Sequence, residues 1–195
     1  MKKAEIIIAI LCIVAIVMNL LLVPGATIIT VLSLSMFSCF YMYFSFALFN
    51  GIRLRNITKK ESYKDISKPR IIGAVGAGLA LALTIIGIMC ILQSYPGASF
   101  NLGEGLVALS IVSVVGLARY IKTRSSYYIG ISKRIVIIGM LGLTLFYLPR
   151  TTIIDFKYRN HPGFRDAVKN VIANPGNEEL QRKLEEERVK MHQDE

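Results

Sequence analysis

Five apolar blocks dominate this chain, and its excess basic residues sit in every second connection between them. Residues 6–23, 26–49, 71–93, 106–118 with their flanks, and 135–149 are nearly free of charge. A membrane-spanning helix needs about 20 mainly apolar residues, within a range of roughly 17–25. The first three blocks meet that length, the fourth does so if it starts near Phe100, and the fifth is the shortest. Hydrophobic residues make up 53% of the chain and charged residues 18%, where a soluble domain carries about 25% charged residues. Helices with so little polar face cannot cover a soluble core. The fold class expected is an all-α integral membrane protein with five transmembrane helices. It has a transmembrane domain over 1–149 and an extracytoplasmic amphipathic helical tail over 150–195.

The net charge of +10 would suggest nucleic acid in a soluble protein, but its placement speaks for topology. Lys2 and Lys3 precede the first block. Arg53, Arg55, Lys59, Lys60, Lys64, Lys68 and Arg70 lie between the second and third. Arg119, Lys122, Arg124, Lys133 and Arg134 lie between the fourth and fifth. The connections 24–25 and 94–103 hold no Lys or Arg, and the tail from 150 is neutral. Basic connections stay in the cytoplasm. The N-terminus and the connections 50–70 and 119–134 are therefore expected inside, and the tail outside, in a bacterial inner membrane. The partners expected are membrane lipids, whose anionic headgroups suit such loops, and no nucleic acid.

The chain also repeats itself. Leu22-Val23-Pro24-Gly25-Ala26-Thr27 joins the first two blocks, and Ser94-Tyr95-Pro96-Gly97-Ala98-Ser99 joins the next two, 72 positions later. Proline presets φ and glycine accepts positive φ, so Pro24-Gly25 and Pro96-Gly97 read as hairpin turns. Each hairpin, 5–49 and 70–121, ends in a basic connection, which suggests two copies in parallel orientation. Because the first block matches the third, it is expected to be retained. Its apolar run is also longer than a signal-peptide core of about 7–15 residues. In the third block Ala74, Gly78 and Ala82 are spaced four apart, and Gly116 lies on one face of the fourth; such small residues let helices approach closely in lipid. Asn19 is polar and deep enough in the first block to hydrogen-bond between helices. The cytoplasmic half of the second block is crowded with aromatics, from Phe37 to Phe49, which read as interfacial anchors.

The tail changes character. Residues 155–159 alternate polar and apolar, which suits a short strand or an extended exit. Phe164, Ala167, Val168, Val171 and Ile172 then recur at helical spacing. A second helix follows Asn177, a residue able to cap it, with Glu178–Arg182, Glu179–Lys183 and Glu186–Lys190 as i,i+4 pairs. Two such short helices cannot bury a sizeable core alone. Residues 160–195 are therefore expected to contact a protein partner or a second copy.

The chain carries few motifs of catalytic chemistry. Hydrolase, metalloprotease, phosphate-loop and dinucleotide signatures are absent. His161 and His192 stand alone in the tail, and Cys12, Cys39 and Cys90 lack the spacing of a metal or disulfide framework. No catalytic residue, metal or cofactor is expected. No Asp, His, Lys or Arg falls mid-block, where proton relays would need one. Glu104, at the outer mouth of the fourth block, is expected as a water-facing first-turn carboxylate favoured by the helix dipole. An earlier helix start would instead carry it into the membrane.

The helix–Pro-Gly-Ala–helix hairpins, with Tyr95-Pro96-Gly97-Ala98 as the fuller match, resemble the transmembrane hairpin of the bacterial gliding-motility and type 9 secretion motor stator. That resemblance implies a bacterial inner-membrane location and a shared hairpin architecture. The family's intramembrane Glu has no counterpart in 26–49, and Glu104 lies near the mouth, so its proton-driven role does not carry over. The function expected is a non-catalytic multi-pass membrane subunit or scaffold. The rival is a small transporter or channel component with a path between the two hairpins and Glu104 at its mouth.

Overall fold

The computed structural model describes residues 1–193 except Asp65, Pro96 and Pro175, and of His192 and Gln193 the backbone alone. Among the described residues it is all-helical, with no strand. The chain divides into two units, Met1–Tyr147 and Leu148–Glu195.

The first unit contains five helices long and apolar enough to cross a membrane: α1 (Lys2–Leu20), α2 (Ala26–Phe49), α3 (Lys68–Leu92), α4 (Ala98–Thr123) and α5 (Ser126–Tyr147). α3 is the central one, packed against α2, α4 and α5, whereas α1 packs chiefly on α2. The composition of α3 explains its place. Ala74, Ala77, Gly78, Ala80, Leu81, Ala82, Thr84, Ile85, Gly87 and Ile88 are all buried, and one stripe, Ile72, Val75, Leu79, Leu83 and Ile86, stays exposed. Small residues at the crossings allow this. A Cβ on Gly78 would fall 2.6 Å from the Tyr41 carbonyl oxygen of α2, and one on Gly87 would fall 2.5 Å from Leu102 Cα of α4. Gly105 of α4 faces Thr84 in the same way, at 2.7 Å from its Cα.

The two tight turns are built alike. Val23 N–H donates to the Met18 carbonyl and Leu22 N–H to that of Asn19. Tyr95 and Ser94 do the same to Cys90 and Ile91. This is the paired closure of a helix C-terminus that needs a left-handed residue, and Leu22 (φ 57°) and Ser94 (φ 58°) supply it. Gly25 (φ 78°) and Gly97 (φ 75°) then open α2 and α4, a conformation glycine takes without a Cβ penalty.

Two expectations are corrected here. The basic segment 119–134 is not a loop. α4 continues to Thr123, only Arg124 and Ser125 intervene, and α5 begins at Ser126 rather than near 135. The buried residues Tyr127, Ile131, Ile135, Ile138 and Gly142 trace one helical face straight through the basic residues. Helical period therefore overrides local polarity. The connection from Asn50 to Ser67 remains non-spanning and forms two short 3₁₀ turns, Leu54–Asn56 and Lys60–Tyr63.

In the second unit, residues 155–159 are not extended. Residues 155–157 close α6 (Arg150–Lys157), Tyr158 is its C-terminal cap and Arg159 follows in a turn; the helix buries Ile154. Burial of that residue outweighs the strand preference of Thr151, Thr152, Ile153 and Ile154. α7 (Pro162–Ala173) and α8 (Glu178–Gln193) follow and pack against each other. Asn177 Oδ1 accepts the N–H groups of Glu179 and Leu180 and so caps α8. Of the three expected i,i+4 pairs, Glu179–Lys183 forms at 3.0 Å, while Arg182 turns to Glu186 and Lys190 to Glu187.

Candidate functional site

Two polar features stand out inside the apolar first unit. The first joins α1, α2 and α5. Arg134 donates through Nε and Nη2 to the two carboxylate oxygens of Glu5, and the Tyr41 hydroxyl donates to Glu5 Oε1 at 2.7 Å. Arg134 Nη1 also reaches the Gly130 carbonyl, and the guanidinium lies 5.4 Å from the centre of the Phe49 ring. Glu5 is 8% and Tyr41 2% exposed. Tyr41 is eight residues before the end of α2, Arg134 eight after the start of α5 and Glu5 three after the start of α1, so the cluster sits roughly 5–12 Å in from one end of the helices. Arg134 thus belongs to the first half of α5 rather than to a connection ahead of it. The pair is self-neutralising and hydrogen-bonded, the condition under which charges are tolerated in an apolar interior. Its sequence signal was an acidic residue just before the first apolar block and an arginine just before the fifth.

The second feature is a cleft of about 630 Å³ between the first half of α3, the second half of α4 and the first half of α5. Its walls include Gly76, Ala77, Val112, Gly116, Ile131 and Ile135, and its mouth is set by Arg70 and Arg119. Tyr127 organises the mouth. Its hydroxyl donates to the Arg70 carbonyl at 3.0 Å, and the Arg70 guanidinium stacks 4.3 Å over its ring. Arg70 Nε is buried and has no hydrogen-bond partner. Arg70 and Arg119 were legible in the sequence only as topology charges, because nothing local reveals that helices bring them to one opening.

Ala74, Gly78 and Ala82 are buried in the centre of the bundle, with Gly78 against Ser45 and Tyr41. Gly116 is not at a tight crossing; no heavy atom lies within 4 Å of where its Cβ would be, and it faces the cleft. Asn19 Nδ2 donates to Thr30 Oγ1 at 3.3 Å, across the first hairpin. Gly25 and Gly97 take their turn conformations, and Pro24 is exposed beside Gly25. Pro96 lies outside the described residues. Glu104 is corrected. α4 starts at Ala98, so Glu104 is in the second turn, exposed on the outer face of the helix rather than in a first-turn position. His161 caps the start of α7 without a side-chain hydrogen bond, and the His192 side chain lies outside the described set. Among the described residues no three His, Cys, Asp or Glu side chains gather as metal ligands would.

The chain matches no family model, and neither a curated protein nor a solved structure matches it significantly. Its resemblance to the stator hairpin thus rests on the turn motif alone.

Proposed function

We propose that this chain is a five-span protein of a bacterial inner membrane, acting as a non-catalytic subunit or scaffold that contacts partners through an exported tail. Insertion is supported by an apolar outer surface. Ile7 on α1, Leu32 on α2, Ile72 on α3, Val114 on α4 and Ile137 on α5 are each between 65% and 71% exposed. A water-soluble monomer rarely exposes apolar patches on that scale. The basic residues at one end favour a cytoplasmic N-terminus, and an odd number of spans then carries the tail outside. The shared hydrogen bonds of the two turns, displaced by 72 positions, support a duplicated hairpin.

The observation that carries the subunit reading is α8. None of its described residues is fully buried: Leu180, Leu184 and Met191, which share one face, are only half-buried, and Val189 on the opposite face is exposed. Helices in proteins gain most of their stability from packing an apolar face, and α7 covers that of α8 only in part. A channel between the hairpins has less support, because α2 and α3 meet so closely at Gly78. Deleting 160–195 tests the proposal. An N-terminally tagged chain should retain stoichiometric partners on native gels after mild solubilisation, and the truncated chain should lose them. Complexes unchanged by the deletion would remove the reading.

A further inference from the structure

We infer that the cleft among α3, α4 and α5 holds an anionic phospholipid from the leaflet at the basic end of the bundle. This rests on the membrane reading and adds a ligand class to it. The cleft runs along α3 from Ser67 to Ala77, about 15 Å at the helical rise. That is one leaflet of a hydrocarbon core about 30 Å thick. Its walls are mainly apolar in depth, with Ser113 and Ser132 the polar exceptions, and its cations are Arg70 and Arg119 at the mouth, a layout that suits a lipid better than a small soluble anion. Gly73, Gly76 and Gly116 have no atom within 4 Å of a would-be Cβ, so the walls stay apart where an acyl chain would lie.

The mouth specifies charge. Tyr127 fixes Arg70 from both sides, by hydrogen bond and by ring stacking, and leaves its buried Nε without a partner. Arg119 is exposed on the facing helix. No acidic residue lines the cleft, and neither arginine has an acidic partner among the described residues. Guanidinium groups match the geometry of phosphate oxygens and can bind them in bidentate fashion. A zwitterionic lipid would bring its own cation beside two arginines, whereas an anionic headgroup would not.

The test uses the full chain reconstituted in vesicles of equal phosphatidylglycerol and phosphatidylcholine, then extracted and read by native mass spectrometry. Wild type should retain phosphatidylglycerol several-fold over phosphatidylcholine. Arg119→Gln should lower that preference, and Arg70→Gln with Arg119→Gln should abolish it. Because Arg119 is exposed, its variant reads the site even if the double variant fails to assemble. Gly116→Leu should reduce bound lipid with both arginines in place. Lys59→Gln with Lys60→Gln, which removes as much charge outside the cleft, should change nothing. Equal retention of the two lipids would overturn the inference, as would an equal loss in the lysine variant. Displacement of the lipid by inorganic phosphate would assign the mouth to a soluble anion and overturn it too. Release of the chain from membranes by alkaline carbonate would instead overturn insertion itself, so the two failures are distinguishable.

Discussion

Glu5 and Arg134 lie 129 positions apart in sequence and meet as a two-pronged ion pair between the first and last helices of the bundle. α1 packs chiefly on α2, so this pair ties it to α5. Removing one member strands the other charge in an apolar setting. Glu5→Gln or Arg134→Gln should each cost about 3–5 kcal/mol, while replacing both by leucine should cost far less than either. Tyr41→Phe removes one hydrogen bond to a charged group and should cost about 1.5–3 kcal/mol. Thermal unfolding of the purified variants in one detergent checks all four. Additive losses in the double variant would mean that the pair is not coupled.

The turns make an opposite-sign prediction. Ser94 holds a left-handed conformation at φ 58°, and its hydroxyl is buried without a partner. Ser94→Gly should stabilise by about 1 kcal/mol, since the left-handed region costs L-residues roughly 1–2 kcal/mol. Gly97→Ala, at φ 75°, should destabilise by a similar amount. The same unfolding assay reads both.

Two glycines on α3, two residues apart, should respond differently. A Cβ at position 78 would press on the Tyr41 carbonyl, and one at position 76 would meet open space. Gly78→Ala should cost about 1–3 kcal/mol through overpacking. Gly76→Ala should gain about 0.4–1 kcal/mol through helix propensity and a less flexible unfolded chain. A loss at both positions would place helix density where the structure has the cleft.

In the tail, burial pushes the Lys157 ammonium down to about 8. The folded pKa is below the unfolded one, so unfolding takes up a proton between roughly pH 8 and the ordinary lysine value of about 10.4. The fold around Lys157 should therefore gain stability as pH rises through that window. After ¹³C-methylation of the lysines, one NMR signal should titrate near 8 and vanish in Lys157→Arg. If every lysine signal titrates near 10, Lys157 is solvated.

The sequence made the helices legible because apolar period and block length are local properties. The five spans, the Pro24-Gly25 turn and the Asn177 cap all follow from neighbouring residues. Glu5, Tyr41 and Arg134 were not legible as a set, because their meeting depends on how α1, α2 and α5 are arranged in space. The same holds for the cleft. Arg70 and Arg119 read as topology charges until α3 and α4 bring them to one mouth. The start of α5 is hidden in the sequence because polar residues interrupt its apolar run, whereas its buried face continues unbroken from Tyr127 to Gly142. For residues 155–159, a period-two pattern spans too few positions to separate a strand from the last turn of a short helix, here one that buries only Ile154.

Topology is the most direct test, since an exported tail requires an odd number of spans. Cys12, Cys39 and Cys90 are unpaired, so a cysteine-free background follows from three alanine substitutions. Single cysteines are then placed at Lys60, in the basic connection, and at Lys183, in α8, and probed with a membrane-impermeant maleimide in intact cells. The cysteine at 183 should label from outside, and the one at 60 only after permeabilisation. Labelling of both from the same side would contradict a five-span chain with an exported tail.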